Sequence, residues 1–157
     1  TNQIDLNMKM KFATLLMSLW GLSIFASLAQ AETVLELSGN DTMQFDKKAF
    51  DVAVGEEIKL VFTNKGTLPK AAMGHNVVIL KLGTNVMAFG GGAISAAATD
   101  YVPQDGPMAA QVIANTKVLG PGESETITFK LDAAGEYNFI CSFPGHYALM
   151  KGVMTAK

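Results

Sequence analysis

Cys141, His146 and Met150 share one short stretch, Cys141-Ser142-Phe143-Pro144-Gly145-His146-Tyr147-Ala148-Leu149-Met150, and Cys141 is the only cysteine in the chain. Thiolate, imidazole and thioether form a soft donor set that suits copper, since sulfur favours Cu(I) and imidazole serves both oxidation states. The other of the two histidines, His75, lies upstream in Met73-Gly74-His75-Asn76. The entire histidine and cysteine inventory can therefore converge on one metal. A trigonal His₂Cys set with a long axial Met is the arrangement used for electron transfer by copper, and His75, Cys141, His146 and Met150 supply those parts.

Each residue also has an ordinary reading. A cysteine at the end of an apolar strand is commonly a buried small hydrophobe, a histidine after glycine a turn residue, and one of nine methionines a core side chain. Other chemistry stays open as well. Cys141 with His75 or His146 is a conceivable nucleophile and base, but such a site needs an orienting polar group and an oxyanion hole, and no acidic residue lies between Phe139 and Met150. Zinc accepts Cys and His but gains little from a thioether. A copper carrier or store that does not exchange electrons would use the same ligands. A multicopper reductase would need further histidines.

The elements that must position these residues read as short strands separated by turn residues. Tyr137 to Cys141 is an apolar strand, Pro144-Gly145 turns the chain, and Lys151 to Ala156 leads away after Met150. Asn76 to Leu82 starts directly after His75. Thr33 to Leu37, Phe50 to Val54, Ile58 to Thr63, Gln111 to Leu119 and Glu125 to Leu131 have the same β-type alternation or β-branched content. About eight such strands predict an all-β sandwich or a closed barrel. Thr84 to Gly106 breaks the pattern with Gly90-Gly91-Gly92 and an alanine-rich run. It is too long for a hairpin turn, and is either a short helix over Ala93 to Thr99 or a glycine-rich connection.

The N-terminus carries an export pattern: Lys9 and Lys11, an apolar run from Phe12 to Leu28, then Ala29-Gln30-Ala31. The expectation is that residues 1–7 lie upstream of the natural start at Met8, that 8–31 are a signal peptide cleaved after Ala31, and that 32–157 form one exported, periplasmic domain. The alternative is a membrane anchor, although Thr14, Ser18, Gly21, Ser23 and Ser27 dilute the run. In an oxidising compartment a second cysteine would normally be bridged, so the lone Cys141 reads as an intermolecular bridge, a reactive thiol or a metal ligand. The chain has no arginine and a net charge of −2, which argues against nucleic acid as a partner.

Taken together, Cys141 to Met150 followed by Lys151-Gly152, Met73-Gly74-His75-Asn76, Leu68-Pro69-Lys70, and Gly39-Asn40-Asp41 with Met43-Gln44-Phe45 resemble the azurins, bacterial members of the cupredoxin family. The resemblance runs in order through most of the chain after Ala31. It implies an eight-stranded Greek-key β-sandwich with a helical flap in the Thr84 to Gly106 region. One type 1 copper would be bound by His75, Cys141, His146 and an axial Met150, with the Gly74 carbonyl as a distant fifth contact. Asn76 would tie the two ligand loops together. The implied function is electron transport, with small cytochromes or reductases as partners. These would dock on an apolar patch around His146 made of Met43, Leu68, Met73, Phe143, Pro144 and Ala148. Three departures stand out. The cysteine pair that azurins typically bridge near Val34 to Glu36 and Val54 to Glu57 is missing, Val77 stands where several relatives have tryptophan, and Gly90 to Asp105 follows the family's flap in place but not clearly in sequence.

Overall fold

The computed structural model describes residues 32–157; the expected signal peptide and the residues before it lie outside the described residues. The described residues form nine strands: β1 (Glu32–Asn40), β2 (Gln44–Phe45), β3 (Ala49–Val52), β4 (Glu57–Asn64), β5 (Val78–Leu80), β6 (Val112–Asn115), β7 (Ser124–Lys130), β8 (Gly135–Ile140) and β9 (Lys151–Ala156). They form a four-stranded sheet ordered β2-β1-β4-β7 and a five-stranded sheet ordered β3-β9-β8-β5-β6. Every expected strand is found, and the extra one, β2, has only two residues. Its pairing with the end of β1 follows a turn at Met43, which adopts φ 54°; nothing as short as Gln44–Phe45 carries a periodic signal.

The alternation read from the sequence is the alternation of burial. In β4, Ile58, Leu60, Phe62 and Asn64 face inward between half-exposed neighbours. Leu37 of β1, Phe129 of β7, Tyr137 and Phe139 of β8 and Met154 of β9 meet them in one core between the sheets. Fully burying each such side chain stabilises the fold by roughly 1.5–3 kcal/mol.

β5 differs because Val77, Val78, Ile79 and Leu80 are all fully buried, the unbroken apolar run of a strand covered on both faces. Val77 and Ile79 belong to the inter-sheet core, whereas Val78 and Leu80 join a second cluster with Phe89, Ala93, Val102 and Ile140. That outer cover is the flap. It consists of α2 (Val86–Ala93), a 3-10 helix (Ile94–Thr99) and α3 (Gly106–Ala109), while the short α1 (Lys70–Met73) precedes His75.

The flap corrects the expected helix position. The α-helix lies over Val86–Ala93 and includes the three glycines, and the stretch expected to be helical, Ala93 to Thr99, is mainly the tighter 3-10 form. Asn85 caps α2 by accepting from the Ala88 amide at 3.0 Å, and burial of Phe89 offsets the poor helix propensity of glycine.

Candidate metal centre

His75, Cys141, His146 and Met150 meet at one end of the sandwich. β8 delivers Cys141 directly after Ile140, and β9 begins directly after Met150. The Cys141 amide donates to the Met150 carbonyl at 2.9 Å, closing the loop at its base, and the Met150 amide donates to the His146 carbonyl at 2.8 Å. The Gly145 backbone at φ 81° makes the turn. His75 is fixed by a two-way backbone bridge to Leu119, with N–H···O distances of 3.1 and 2.7 Å.

The donor atoms form a tight triangle. His75 Nδ1 and His146 Nδ1 are 3.2 Å apart, and Cys141 Sγ is 3.9 Å from the first and 3.7 Å from the second. An ion centred in a trigonal plane, with bonds of about 2.0 Å to nitrogen and about 2.3 Å to thiolate, needs edges of about 3.5 Å for N···N and about 3.7 Å for N···S. The triangle fits such an ion. Among the described residues these three form the one group of His, Cys and carboxylate side chains close enough to hold a metal, and all three are buried.

Met150 is fully buried beside them. A Cβ added to Gly39 would fall 2.5 Å from the Met150 methyl and 3.4 Å from His75 Cδ2, so both side chains lie over this glycine and the thioether flanks the imidazole. Gly74 ends α1 in an extended conformation. A Cβ there would overlap Val118 Cγ1 and approach the Lys70 carbonyl to 2.6 Å, which leaves glycine as the residue that fits before His75.

Hydrogen bonds orient this set. His75 Nε2 lies 2.9 Å from the Asn40 carbonyl; that oxygen can only accept, so Nε2 carries the proton and Nδ1 presents its lone pair. Asn76 joins the loops as expected: its Oδ1 accepts from the Ser142 amide at 2.8 Å, and its Nδ2 donates to Ser142 Oγ and to the Asp100 carbonyl, both at 2.9 Å. Ser142 Oγ in turn donates to the Tyr101 carbonyl at 2.7 Å. Asp100 and Tyr101 both have left-handed backbones, at φ 57° and 60°, which turns their two carbonyls toward the residues that follow His75 and Cys141.

Burial dominates the electrostatics. It pushes the Cys141 thiol up to about 12, against the opposing effect of hydrogen bonds from the Asn76 and Phe143 amides. It also lowers His75, and brings His146 down to about 4 with help from the neighbouring His75. An activated cysteine nucleophile needs a depressed pKa, the reverse of what the site provides. Two neutral imidazoles and a thiol that yields its proton to a metal are what copper requires.

The surface around His146 differs in part from the expected patch. Leu68 and Ala148 are exposed, and Met43, Met73 and Pro144 are half-buried. Phe143 is buried, packed between Tyr101 at a ring separation of 5.3 Å and His146 at 4.8 Å. Leu149, absent from the expected set, is 58% exposed. His146 Nε2 has no hydrogen-bond partner, and no solvent-sealed side-chain nitrogen or oxygen among the described residues lacks one, so this atom meets solvent. The contributions of Gly39, Asn40, Asp100 and Tyr101 were not read from the sequence. Gly39 and Asn40 belong to a recognised motif, but a main-chain carbonyl leaves no mark in residue type.

A two-sheet sandwich with a buried His₂Cys triangle and a flanking methionine at one end defines a cupredoxin-type metalloprotein. A model of the family described as copper binding proteins, plastocyanin/azurin family, matches residues 31–157. Azurin-1 of Alcaligenes xylosoxydans xylosoxydans is 42% identical over 128 residues, covering 79% of this chain and 97% of that protein. Among solved structures, reduced auracyanin from Roseiflexus castenholzii is 43% identical with a TM-score of 0.70, covering 81% of this chain and 98% of that one. The azurin Az-iso2 of Methylomonas sp. strain J superposes with a TM-score of 0.71 at 30% identity, covering 81% and 99%. The chain belongs to the plastocyanin/azurin family of copper-binding proteins, and to its azurin-like members. Its cofactor is copper at a type 1 site, and its functional class is that of the blue copper electron-transfer proteins.

Proposed function

We propose that the chain is a periplasmic carrier of single electrons, with 32–157 as the working domain released by cleavage after Ala31. His75 Nδ1, His146 Nδ1 and Cys141 Sγ would hold the copper, with Met150 and the Gly74 carbonyl as weaker contacts. When bound, copper supplies the one-electron couple, and the chain's residues do the rest. Asn40, Asn76 and Ser142 hold the ligands in one arrangement, so little rearrangement accompanies a change of charge. The buried surroundings of Cys141 keep water from the sulfur.

One observation carries this reading: the buried N, N, S triangle includes an imidazole, His146, whose far nitrogen meets solvent. The electron can leave by that edge, and Ala148 and Leu149, exposed in the same loop, offer apolar surface on which a small redox protein can dock. No helix among the described residues is long and apolar enough to cross a membrane. The test is to load purified protein with copper, oxidise it, and titrate it against a small cytochrome. The expected result is an intense blue band that bleaches with one electron and returns with the metal retained. Colourless oxidised protein with Cys141 intact refutes the type 1 site, and metal loss on reduction makes the protein a carrier of copper instead of electrons.

A further inference from the structure

Gly90 lies inside α2, and its backbone is not in the left-handed region. Its lack of a side chain therefore answers to space rather than backbone conformation. A Cβ at Gly90 would overlap Cγ of Tyr147 and fall 2.5 Å from its Cδ2 and 2.7 Å from its Cβ, whereas one at Gly91 would meet only the Tyr147 hydroxyl, at 3.7 Å. The Tyr147 side chain thus packs directly against the helix at Gly90. Tyr147 directly follows His146, and its ring packs against the cluster formed by Phe89, Ala93, Val102 and Ile140. On the other side of the loop, Phe143 is held between Tyr101 of the flap and the His146 ring.

We propose that Gly90 is a positioning residue: it seats Tyr147 so that the flap clamps the ligand loop and sets the place of His146. A rotation of one residue in a tight turn carries its neighbour with it, so lifting Tyr147 off the helix moves the His146 imidazole relative to His75 and Cys141. The part concerning copper rests on the function proposed above; the part concerning His146 does not.

The experiment compares Gly90→Ala, Gly91→Ala, Tyr147→Ala and the Gly90→Ala/Tyr147→Ala pair. In copper-free protein, the NMR signals of the His146 ring should move in Gly90→Ala and stay in place in Gly91→Ala. The pair should match Tyr147→Ala alone, because the added methyl then fills vacated space. With copper bound, Gly90→Ala should shift the blue band and speed copper loss to a chelator roughly tenfold. His146 signals unmoved in Gly90→Ala overturn the proposal, as does a pair whose effects simply add. If Gly90→Ala does not fold, Tyr147→Leu decides: unseating the ring must move the His146 signals, and unmoved signals refute the clamp. Protein that binds no copper while its His146 signals respond would refute the copper reading and leave the clamp standing.

Discussion

Asn76→Ala removes the residue that joins the two ligand loops, and its cost can be worked from the bonds it makes. Asn76 and Ser142 are both fully buried. The substitution leaves the Ser142 amide without its 2.8 Å acceptor and deprives the Asp100 carbonyl and Ser142 Oγ of their donor. One orphaned buried amide costs about 1–3 kcal/mol, and the two acceptors with the vacated volume bring the total to roughly 3 kcal/mol, a large share of a typical stability of about 5–15 kcal/mol. For a domain of this size that lowers the melting temperature by about 10 °C. Thermal unfolding of copper-free protein measures it without interference from the metal. Asn76→Asp sharpens the test. A carboxylate can still accept from Ser142 but can donate to Asp100 only when protonated. Its pKa in the fold is therefore raised above the unfolded value, so its contribution is present at low pH and lost as pH rises. The stability deficit of Asn76→Asp relative to wild type should thus grow with pH. A deficit in Asn76→Ala below about 0.5 kcal/mol, the scale of an ordinary surface change, or a pH-independent deficit in Asn76→Asp, would refute the reasoning.

Three further outcomes follow from the site. Gly39→Ala would place a methyl 2.5 Å from the Met150 methyl, which must retreat by about 1 Å to reach normal contact; methionine's flexibility keeps the stability loss near 1 kcal/mol. The reduction potential should nonetheless move, and an unchanged potential would exclude the Met150 thioether from the site. Copper-free protein should lose stability in acid, because His146 falls from 6.5 to about 4 on folding and the unfolded chain binds the extra proton between those values. It should also lose stability in alkali, because Cys141 rises from 9.0 to about 12 and the unfolded thiol ionises first. Unfolding midpoints against pH check both limbs, and a flat profile from pH 7 down to 4 would contradict the first. Copper uptake near pH 7 should release about one proton, from Cys141, since both imidazoles are already neutral; calorimetry in two buffers of different ionisation enthalpy counts it.

The ligand set was legible because its chemistry depends on residue type: one cysteine, two histidines, and a methionine spaced between two strand signals. Asn76 was legible through its place next to His75. The resemblance puts Phe143 in the docking patch, and apolar character alone does not distinguish such a patch from a side chain packed between Tyr101 and His146, where Phe143 lies. The glycine run was read as either a loop or the approach to a helix because glycine weakens helices on average. The reason it forms one here, contact with Tyr147 and Met108, is tertiary and invisible in a local window. Asn40 acts through its carbonyl, and Asp100 and Tyr101 through backbone conformation, so no property of their side chains announces them.

The missing disulfide bears on one end of β1 and not on the copper site. Near the site, Gly39 and Asn40 pair with β2, the Asp46 amide donates to the Ser38 carbonyl at 2.9 Å, and the Asp46 carboxylate accepts from the Ser38 amide at 2.7 Å. The Lys47 ammonium covers the Glu36 carbonyl at 2.8 Å. Toward the start of the strand, from Glu32 to Leu35, the ladder to β4 is the main tie, supplemented by a half-exposed Lys59–Glu32 pair at 3.6 Å, and such pairs contribute about 0–1 kcal/mol. Val34, in the stretch near which the azurin resemblance puts the bridge, is 56% exposed. The beginning of β1 should therefore open by local fraying while its end, which holds His75 through Asn40, opens only with the whole domain. Hydrogen exchange on copper-free protein should show fast exchange for the ladder amides of Thr33 to Leu35 and near-global protection from Ser38 to Asn40. Uniform protection along β1 would mean that the strand opens as one unit, and that the absent bridge is felt at the metal centre after all.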